Sequence, residues 1–239
     1  MINAYQGAPT VADSIDNGIS TALSNVNTAV PAHVLIYDPA TQRAQVQLSI
    51  KKRIGNKEIN YAPCINVPVS FPGTANWSFF SEIKKGDEGL VIFSKYACDL
   101  WKQNGGLQSP YDNRKFSQSD AFFITGFRPD TQNFKAFPSQ GIGITSKDNK
   151  TQVSLKDDSL TLIKDGASST LTSGSIVTKI GGASVTITDS SITLIAGGQT
   201  VVIGGGGVIH NGVNIGSTHV HSQDVDSHGD KQVDTKPPH

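Results

Sequence analysis

The chain has 239 residues, with 20 basic and 20 acidic side chains and a formal net charge of zero, which allows one large domain or two modest ones. Balanced charge without a long basic run gives no electrostatic signature for binding nucleic acid or an anionic membrane surface. Residues 1–7 lack the start of a signal peptide and no run approaches ~18 apolar residues, so we expect synthesis as a soluble protein, without a signal peptide or transmembrane helix.

Composition divides the chain near residue 138. All 10 Phe, 5 Tyr and 2 Trp precede residue 138, whereas 15 of the 24 Gly follow Gln140. We therefore expect two building plans in four segments. These are a helical segment at 1–30, a β domain at 31–138, a repetitive shaft at 139–207, and a glycine-rich tip with the C-terminal segment at 208–239.

The aromatic half begins with a predicted amphipathic helix over residues 10–28, which Pro31 should end. Its apolar residues recur every three or four positions, at Val11, Ile15, Ile19, Leu23 and Val26. Alternating apolar residues then predict a hairpin from strands 32–37 and 44–50. Further strands are expected near 59–62, 64–69 and 89–94, so this half is predicted to be all-β.

Two cysteines and three aspartates of this half are candidates for a chemical role. Cys64 and Cys98 are expected to be free thiols, because the chain should be made in a reducing compartment. A catalytic role is conceivable for the carboxylates of Asp99, Asp112 and Asp120. However, no acid or orienting group accompanies them at a recognisable spacing. We expect them to be surface or turn carboxylates.

Residues 150–209 repeat with a period of 16. Each unit contains two short strands of alternating residues, separated by a polar turn and closed by Gly166, Gly182 or Gly198. The pattern predicts β-solenoid stacking into a long, thin rod. Four columns share a register: Val153, Ser169, Val185, Val201; Leu155, Leu171, Ile187, Ile203; Leu160, Ile176, Ile192, Val208; and Leu162, Thr178, Leu194, His210.

A single chain has too few apolar positions per repeat to enclose a core. Three chains around one axis would close the rod and cover its sheet edges, so we predict a homotrimer. The surface of the rod is rich in Ser, Thr, Lys and Asp and has no aromatic residue, which argues against a binding groove along the shaft.

The candidate metal ligands are His219 and His221, which follow the glycine-rich residues 204–207. In an extended strand, both would face the threefold axis while Val220 faces away. Three chains would then supply six imidazoles, an octahedral site for a divalent transition metal. Geometry alone leaves iron, nickel and cobalt open.

The C-terminal residues 222–239 do not fit a sharp apex. They are polar and carry several Asp residues, so they either fold back over the tip or are disordered. His210 and His228 have no histidine two residues away, and we expect them to face solvent or pack in the taper.

Several stretches of the aromatic half, at 66–69, 86–93, 98–101 and 116–121, resemble the N-terminal oligosaccharide-binding-type (OB-type) barrel of phage baseplate spike proteins. The resemblance covers roughly residues 30–130 and implies a collar that docks onto the tail hub. Together with the shaft and tip, the chain resembles the membrane-piercing spikes of contractile phage tails. That resemblance implies one iron ion per trimer, held at the apex by the His-x-His strand, and a place at the tip of the virion's baseplate.

These observations lead to the expectation of a non-enzymatic central spike. Sheath contraction would drive the trimer through the host outer membrane, in a fold of an N-terminal OB-type barrel followed by an intertwined triple-chain β-helix. The alternatives are a metal-dependent or polysaccharide-degrading tail enzyme, the spike of a bacterial contractile injection or type VI secretion apparatus, and an adhesive fibre. An enzyme is disfavoured because six protein ligands leave no open position on the metal.

Overall fold

The computed structural model describes residues 10–237, so residues 1–7, which underlie the signal-peptide expectation, lie outside it. The chain forms two compact units, Met1–Asn133 and Phe134–His239. Strands dominate both units, one built as a closed barrel and the other as a long antiparallel sheet. The predicted all-β class, with an N-terminal barrel followed by a second β-rich region, is confirmed.

Helix α1 spans Val11–Ser24 and starts with a capping box. The Thr10 hydroxyl accepts a hydrogen bond from the Asp13 amide, and the Asp13 carboxylate accepts one from the Thr10 amide. No residue of α1 is buried, so residues 10–237 leave its apolar stripe uncovered. The prediction that Pro31 ends the helix is wrong: the helix ends at Ser24 with Asn25 as its C-cap, and Pro31 lies in the following strand.

The first unit is built from short strands and one further helix. They are β1 (Ala29–Asp38), β2 (Arg43–Leu48), β3 (Lys52–Ile54), β4 (Lys57–Ile59), β5 (Cys64–Ser70), β6 (Glu88–Phe93), α2 (Asp99–Asn104) and β7 (Ala121–Thr125). Single 3₁₀ turns lie at Gln118–Asp120 and Asp130–Gln132. The strand expected at 59–62 is wrong, because the turn at Gly55 pairs β3 with β4 and the chain is irregular after Ile59.

Five of these strands close a barrel in the order β1-β2-β5-β7-β6, with β6 pairing back onto β1. The β5–β7 pair is parallel and the other pairs are antiparallel. This five-stranded arrangement agrees with the predicted OB-type barrel. Its core comprises Ala32, Val34, Ala44, Val46, Leu48, Cys64, Val67, Val69, Val91, Phe93, Ala121 and Phe123.

Gly89 shows how closely this barrel is packed. A Cβ atom at Gly89 would lie 2.5 Å from the Phe123 ring and 2.4 Å from the Ile124 carbonyl oxygen. Only glycine therefore lets β6 approach β7 closely enough for the Phe123 ring to fill the barrel.

The second unit is a ten-stranded antiparallel meander in which each strand pairs with its neighbours in sequence. Its strands are β8 (Ile142–Thr145), β9 (Thr151–Leu155), β10 (Leu160–Lys164), β11 (Ala167–Leu171), β12 (Ser175–Ile180), β13 (Ala183–Thr188), β14 (Ser191–Ala196), β15 (Gln199–Gly204), β16 (Gly207–His210) and β17 (Val213–Asn214). One 16-residue repeat is therefore one hairpin of a meander, not one coil of a single-chain solenoid.

The register interleaves the four predicted columns into two, both on one face of the sheet, which we call the apolar face. The first column is Ile142, Leu155, Leu160, Leu171, Ile176, Ile187, Ile192, Ile203 and Val208. The second is Ile144, Val153, Leu162, Ser169, Thr178, Val185, Leu194, Val201, His210 and Val213.

The apolar face has no cover within its own chain. In the second unit, no residue up to 237 falls in the buried class, and Leu155 and Ile176 remain 56% and 41% exposed. The opposite face carries mainly small polar residues, among them Thr161, Thr186 and Thr193. Residues 134–237 therefore form a regular ladder of paired strands without forming a core.

Candidate functional site

The last hairpins of the sheet lead the chain to the predicted metal ligands. Asn211 and Gly212 both have positive φ, 48° and 84°, and connect β16 to β17. This is the dihedral requirement of a tight type I′ turn, which Asn-Gly satisfies with little strain. The turn sets Val213 opposite His210, so that the meander ends with β17.

Asn214 shapes the segment between β17 and the two histidines. Its Oδ1 accepts a hydrogen bond from the Gly216 amide at 2.8 Å, and its Nδ2 donates to the Thr218 hydroxyl at 2.6 Å. The His219 amide donates to the Gly216 carbonyl at 2.9 Å. A Cβ at Gly216 would meet the Val208 amide nitrogen at 3.0 Å, so this turn packs tightly against β16.

His219 and His221 converge. Their Nε2 atoms are 3.0 Å apart, and the rings are nearly perpendicular at 86°. Nδ1 of His219 contacts the backbone carbonyl of Asn214 and must donate to it, because a carbonyl only accepts. The Nε2 of His219 therefore carries a lone pair, which is the tautomer of a metal-binding imidazole oriented by a second group.

The donor pair fits one edge of an octahedron. Nitrogens about 2.1 Å from a metal ion and at right angles to each other lie about 3.0 Å apart, whereas a tetrahedral edge is about 3.4 Å. The separation of 3.0 Å between the Nε2 atoms of His219 and His221 is that of an N–H···N hydrogen bond between the rings, and it also equals this octahedral edge. Residues 219–221 belong to no strand of the described chain and their two rings meet, so the extended strand at a shared axis stays a prediction.

The C-terminal segment folds back onto the histidine pair, the first of the two expected alternatives. The amide of His221 donates to the Thr235 hydroxyl at 2.8 Å, and the Thr235 amide donates to the His221 carbonyl at 3.0 Å. A turn at 226–230 reverses the chain, with the Asp226 carboxylate accepting from the amides of His228 and Asp230. Hydrogen bonds to Thr235 thus fix both the amide and the carbonyl of His221.

Within residues 134–237, the two remaining histidines have other contacts. His210 ends β16, with its Nε2 3.1 Å from Oε1 of Gln199. His228 lies in the 226–230 turn and contacts Ser227. Within residues 10–237, no three His, Cys, Asp or Glu side chains of one chain form a metal-binding cluster.

In the first unit, Arg114 forms ion pairs with the three carboxylates that were predicted at surface or turn positions. It contacts Asp99, donates to Asp112 at 2.9 Å and donates through Nε to Asp120 at 2.7 Å. Asp120 lies in the 3₁₀ turn Gln118–Asp120, one of the two expected positions, but its side chain is fully buried and not on the surface. Sequence reasoning missed Arg114 because its partners come from separate segments that only the folded barrel brings together.

The Arg114 cluster has the electrostatics of a structural ion pair. Burial alone would raise the pKa of Asp120, but hydrogen bonds from Arg114 and Cys98 hold it below its ordinary value. Burial raises the pKa of the Cys98 thiol to about 11, and its hydrogen bond to Asp120 adds to the increase. Cys64 and Cys98 are both free, as predicted, and burial raises the pKa of Cys64. Neither thiol is activated as a nucleophile.

The barrel is the part of the chain that matches a known protein family. Residues 30–126 match the family model of the phage protein Gp138 N-terminal domain. The match runs from β1 to the end of β7, and it agrees with the predicted resemblance to a phage baseplate spike protein with an N-terminal barrel domain. It supports a virion-associated structural protein of a phage tail or baseplate.

The search of curated proteins gave no match to this chain. Among residues 10–237, no helix has the length and apolar character needed to cross a membrane.

Proposed function

We propose that this chain is the non-enzymatic central spike of a contractile phage tail, and that it acts as a homotrimer. The observation that carries the proposal is the uncovered apolar face. Its first column alone contains nine consecutive Ile, Leu or Val side chains, each opposite the next across the sheet. At ~4.8 Å per strand, ten strands make this face about 43 Å long.

Packing against other copies would stabilise this face strongly. Burying the exposed half of one Leu or Ile side chain contributes about 1 kcal/mol, and each chain offers more than ten such side chains. Three sheets with their apolar faces toward one axis would form a triangular prism with a continuous core. Every Thr-rich face would then point to solvent.

The histidine pair favours three chains over two. His219 and His221 form one octahedral edge, so three copies provide six nitrogens, while two copies provide only four. We propose that these six nitrogens hold one iron ion at the apex. When bound, the iron would join three chain ends and leave no coordination position for a substrate. Asn214 and Thr235 hold the two histidines in place for this role.

The remaining features suit a part that transmits force. Long ladders of backbone hydrogen bonds and stacked apolar columns make a stiff rod, and the shaft has no aromatic or Arg anchor for a ligand. The carboxylates of Asp99, Asp112 and Asp120 all form ion pairs with Arg114 and provide no free acid–base pair. By its resemblance to baseplate spikes, the barrel would dock onto the tail hub, and sheath contraction would drive the apex through the outer membrane.

Light scattering and elemental analysis of the purified full-length chain test the proposal. We expect a particle of three times the 25.3 kDa chain mass, with one third of an iron ion per chain. His219→Ala/His221→Ala should lose the iron and remain trimeric. His228→Ala is the matched control and should keep the iron. A monomer or dimer would contradict the proposal, as would an iron content that the double variant does not change.

A further inference from the structure

His210 occupies an unusual place on the apolar face. It lies in the second column, opposite Val201 on one side and Val213 on the other. The rest of that column is aliphatic, apart from Ser169 and Thr178, which satisfy each other across the sheet at 3.1 Å. If the apolar face points to a shared axis, three His210 rings point to it as well.

The hydrogen bonds around His210 fix which ring nitrogen carries the proton. The Thr200 amide donates to Oδ1 of Asn211 at 2.8 Å, so the amide group of Asn211 points its Nδ2 toward Gln199. Asn211 therefore donates to an oxygen of Gln199, and that same Oε1 lies 3.1 Å from Nε2 of His210. Because this oxygen accepts, Nε2 of His210 is the donor and Nδ1 carries the lone pair.

His210 thus has the same arrangement as His219. In each ring, one nitrogen donates to an oxygen that orients it, and the other is left with a lone pair. A buried imidazole lone pair without a partner costs free energy, and three of them around an axis would repel each other. An electropositive group between the three rings would remove that cost.

We propose that the three His210 side chains of the trimer form a second metal site, for a divalent transition cation such as Zn²⁺ or Co²⁺ bound through Nδ1. This inference rests on the trimer of the proposed function. Three imidazoles with one water give four-coordinate geometry, which distinguishes the site from the six-nitrogen apex. The site would join the three chains at the β15–β16 strand pair, which precedes the apex histidines in the chain.

Cobalt binding to the full-length protein tests this site, because the visible absorption of Co²⁺ is strong in tetrahedral geometry and weak in octahedral geometry. Metal is first removed with a chelator, and Co²⁺ is then added to wild type, to His219→Ala/His221→Ala and to the same double variant with His210→Ala. We expect two, one and no Co²⁺ per trimer, with the tetrahedral bands in the first two samples only. His210→Gln, which keeps a polar side chain, replaces His210→Ala if the latter does not assemble.

The outcomes separate the two proposals. A double variant that is trimeric by light scattering but binds no Co²⁺ overturns the His210 site and leaves the spike proposal intact. Retention of Co²⁺ by the triple variant, in which His210, His219 and His221 are all replaced, also overturns it. Octahedral absorption in the double variant would do the same. A wild-type chain that is monomeric overturns the spike proposal, and the His210 site with it.

Discussion

The two units of this chain form β-structure in opposite ways. The barrel closes on itself, and Val34, Val46 and Phe123 are fully buried without any partner. In the sheet, residues 134–237 include none in the buried class, although it has as regular a ladder of strands as the barrel. Both units have regular strand pairing, but among the described residues only the barrel forms a hydrophobic core.

The difference shows that strand pairing and core formation are separate requirements. A barrel satisfies both within one chain because closure turns one face of every strand inward. A meander that does not curl leaves its apolar face to be covered by something else. In the proposed trimer, the sheet would bury its apolar residues against other copies, whereas the barrel buries its own within one chain.

The largest expected effect comes from placing a charge on the apolar face of the sheet. Ile187→Asp in β13 should dissociate the trimer, because assembly would bury three carboxylates at a cost of several kcal/mol each. Thr186→Asp, one residue away on the opposite face, should remain trimeric. Light scattering of both variants measures the difference. A trimer of unchanged stability in Ile187→Asp would show that this face is not the interface.

A cavity in the barrel should have the complementary effect. Phe123→Ala should lower the free energy of unfolding of the barrel by about 3–5 kcal/mol, and should leave the oligomeric state unchanged. Both tryptophans, Trp77 and Trp101, lie in the barrel unit, so their fluorescence in a denaturant titration reports this unit alone. Phe79→Ala, at a 73% exposed side chain, is the control and should change little. Loss of trimers in Phe123→Ala would contradict the independence of the two units.

The Arg114 cluster sharpens the comparison through pH. Asp120→Asn should lower the barrel's free energy of unfolding by about 2–3 kcal/mol, while Asp112→Asn, at a largely exposed carboxylate, should cost less than about 1 kcal/mol. The pKa of Asp120 is lowered on folding, so its contribution is complete above about pH 4 and is lost as the pH falls through the folded pKa. Acid titration of the wild type should show this loss, and Asp120→Asn should lack it. Equal acid sensitivity of both would contradict the assignment.

The smallest expected effect concerns the one hydroxyl pair in the second column. Thr178→Val alone leaves Ser169 without its partner and should lower trimer stability by about 1 kcal/mol. Ser169→Ala together with Thr178→Val should restore nearly the whole of this loss, because no polar group is then left without a partner. Thermal unfolding followed by circular dichroism measures both variants. A double variant less stable than the single would mean that these hydroxyls have a further partner.

The sequence predicted the apolar face well because its signal is local and repeated. The four columns of period 16 are the residues that the register pairs, for example Leu155 with Leu160 and Leu171 with Ile176. The meander was not predicted, since the same period describes a hairpin as well as a solenoid coil. Distinguishing the two requires knowing which strands pair.

The candidate sites were predictable only in part. His219 and His221 stand out by their spacing, but the contact from His219 to Asn214 and the return of Thr235 to His221 depend on turns that no periodicity encodes. The turn position of Asp120 was among the predicted ones, but its burial was not, because burial depends on the ion pair that Arg114 forms with it six residues away. Contacts within irregular loops leave no periodic trace in a sequence.

Metal-edge anomalous diffraction from crystals of the full-length chain tests the central claim most directly. The account predicts a strong iron peak on a threefold axis beside His219 and His221, with the apolar faces of three sheets facing the same axis. A structure in which the apolar face is covered by anything other than two further copies would contradict it. So would an apex whose histidines lie off the axis.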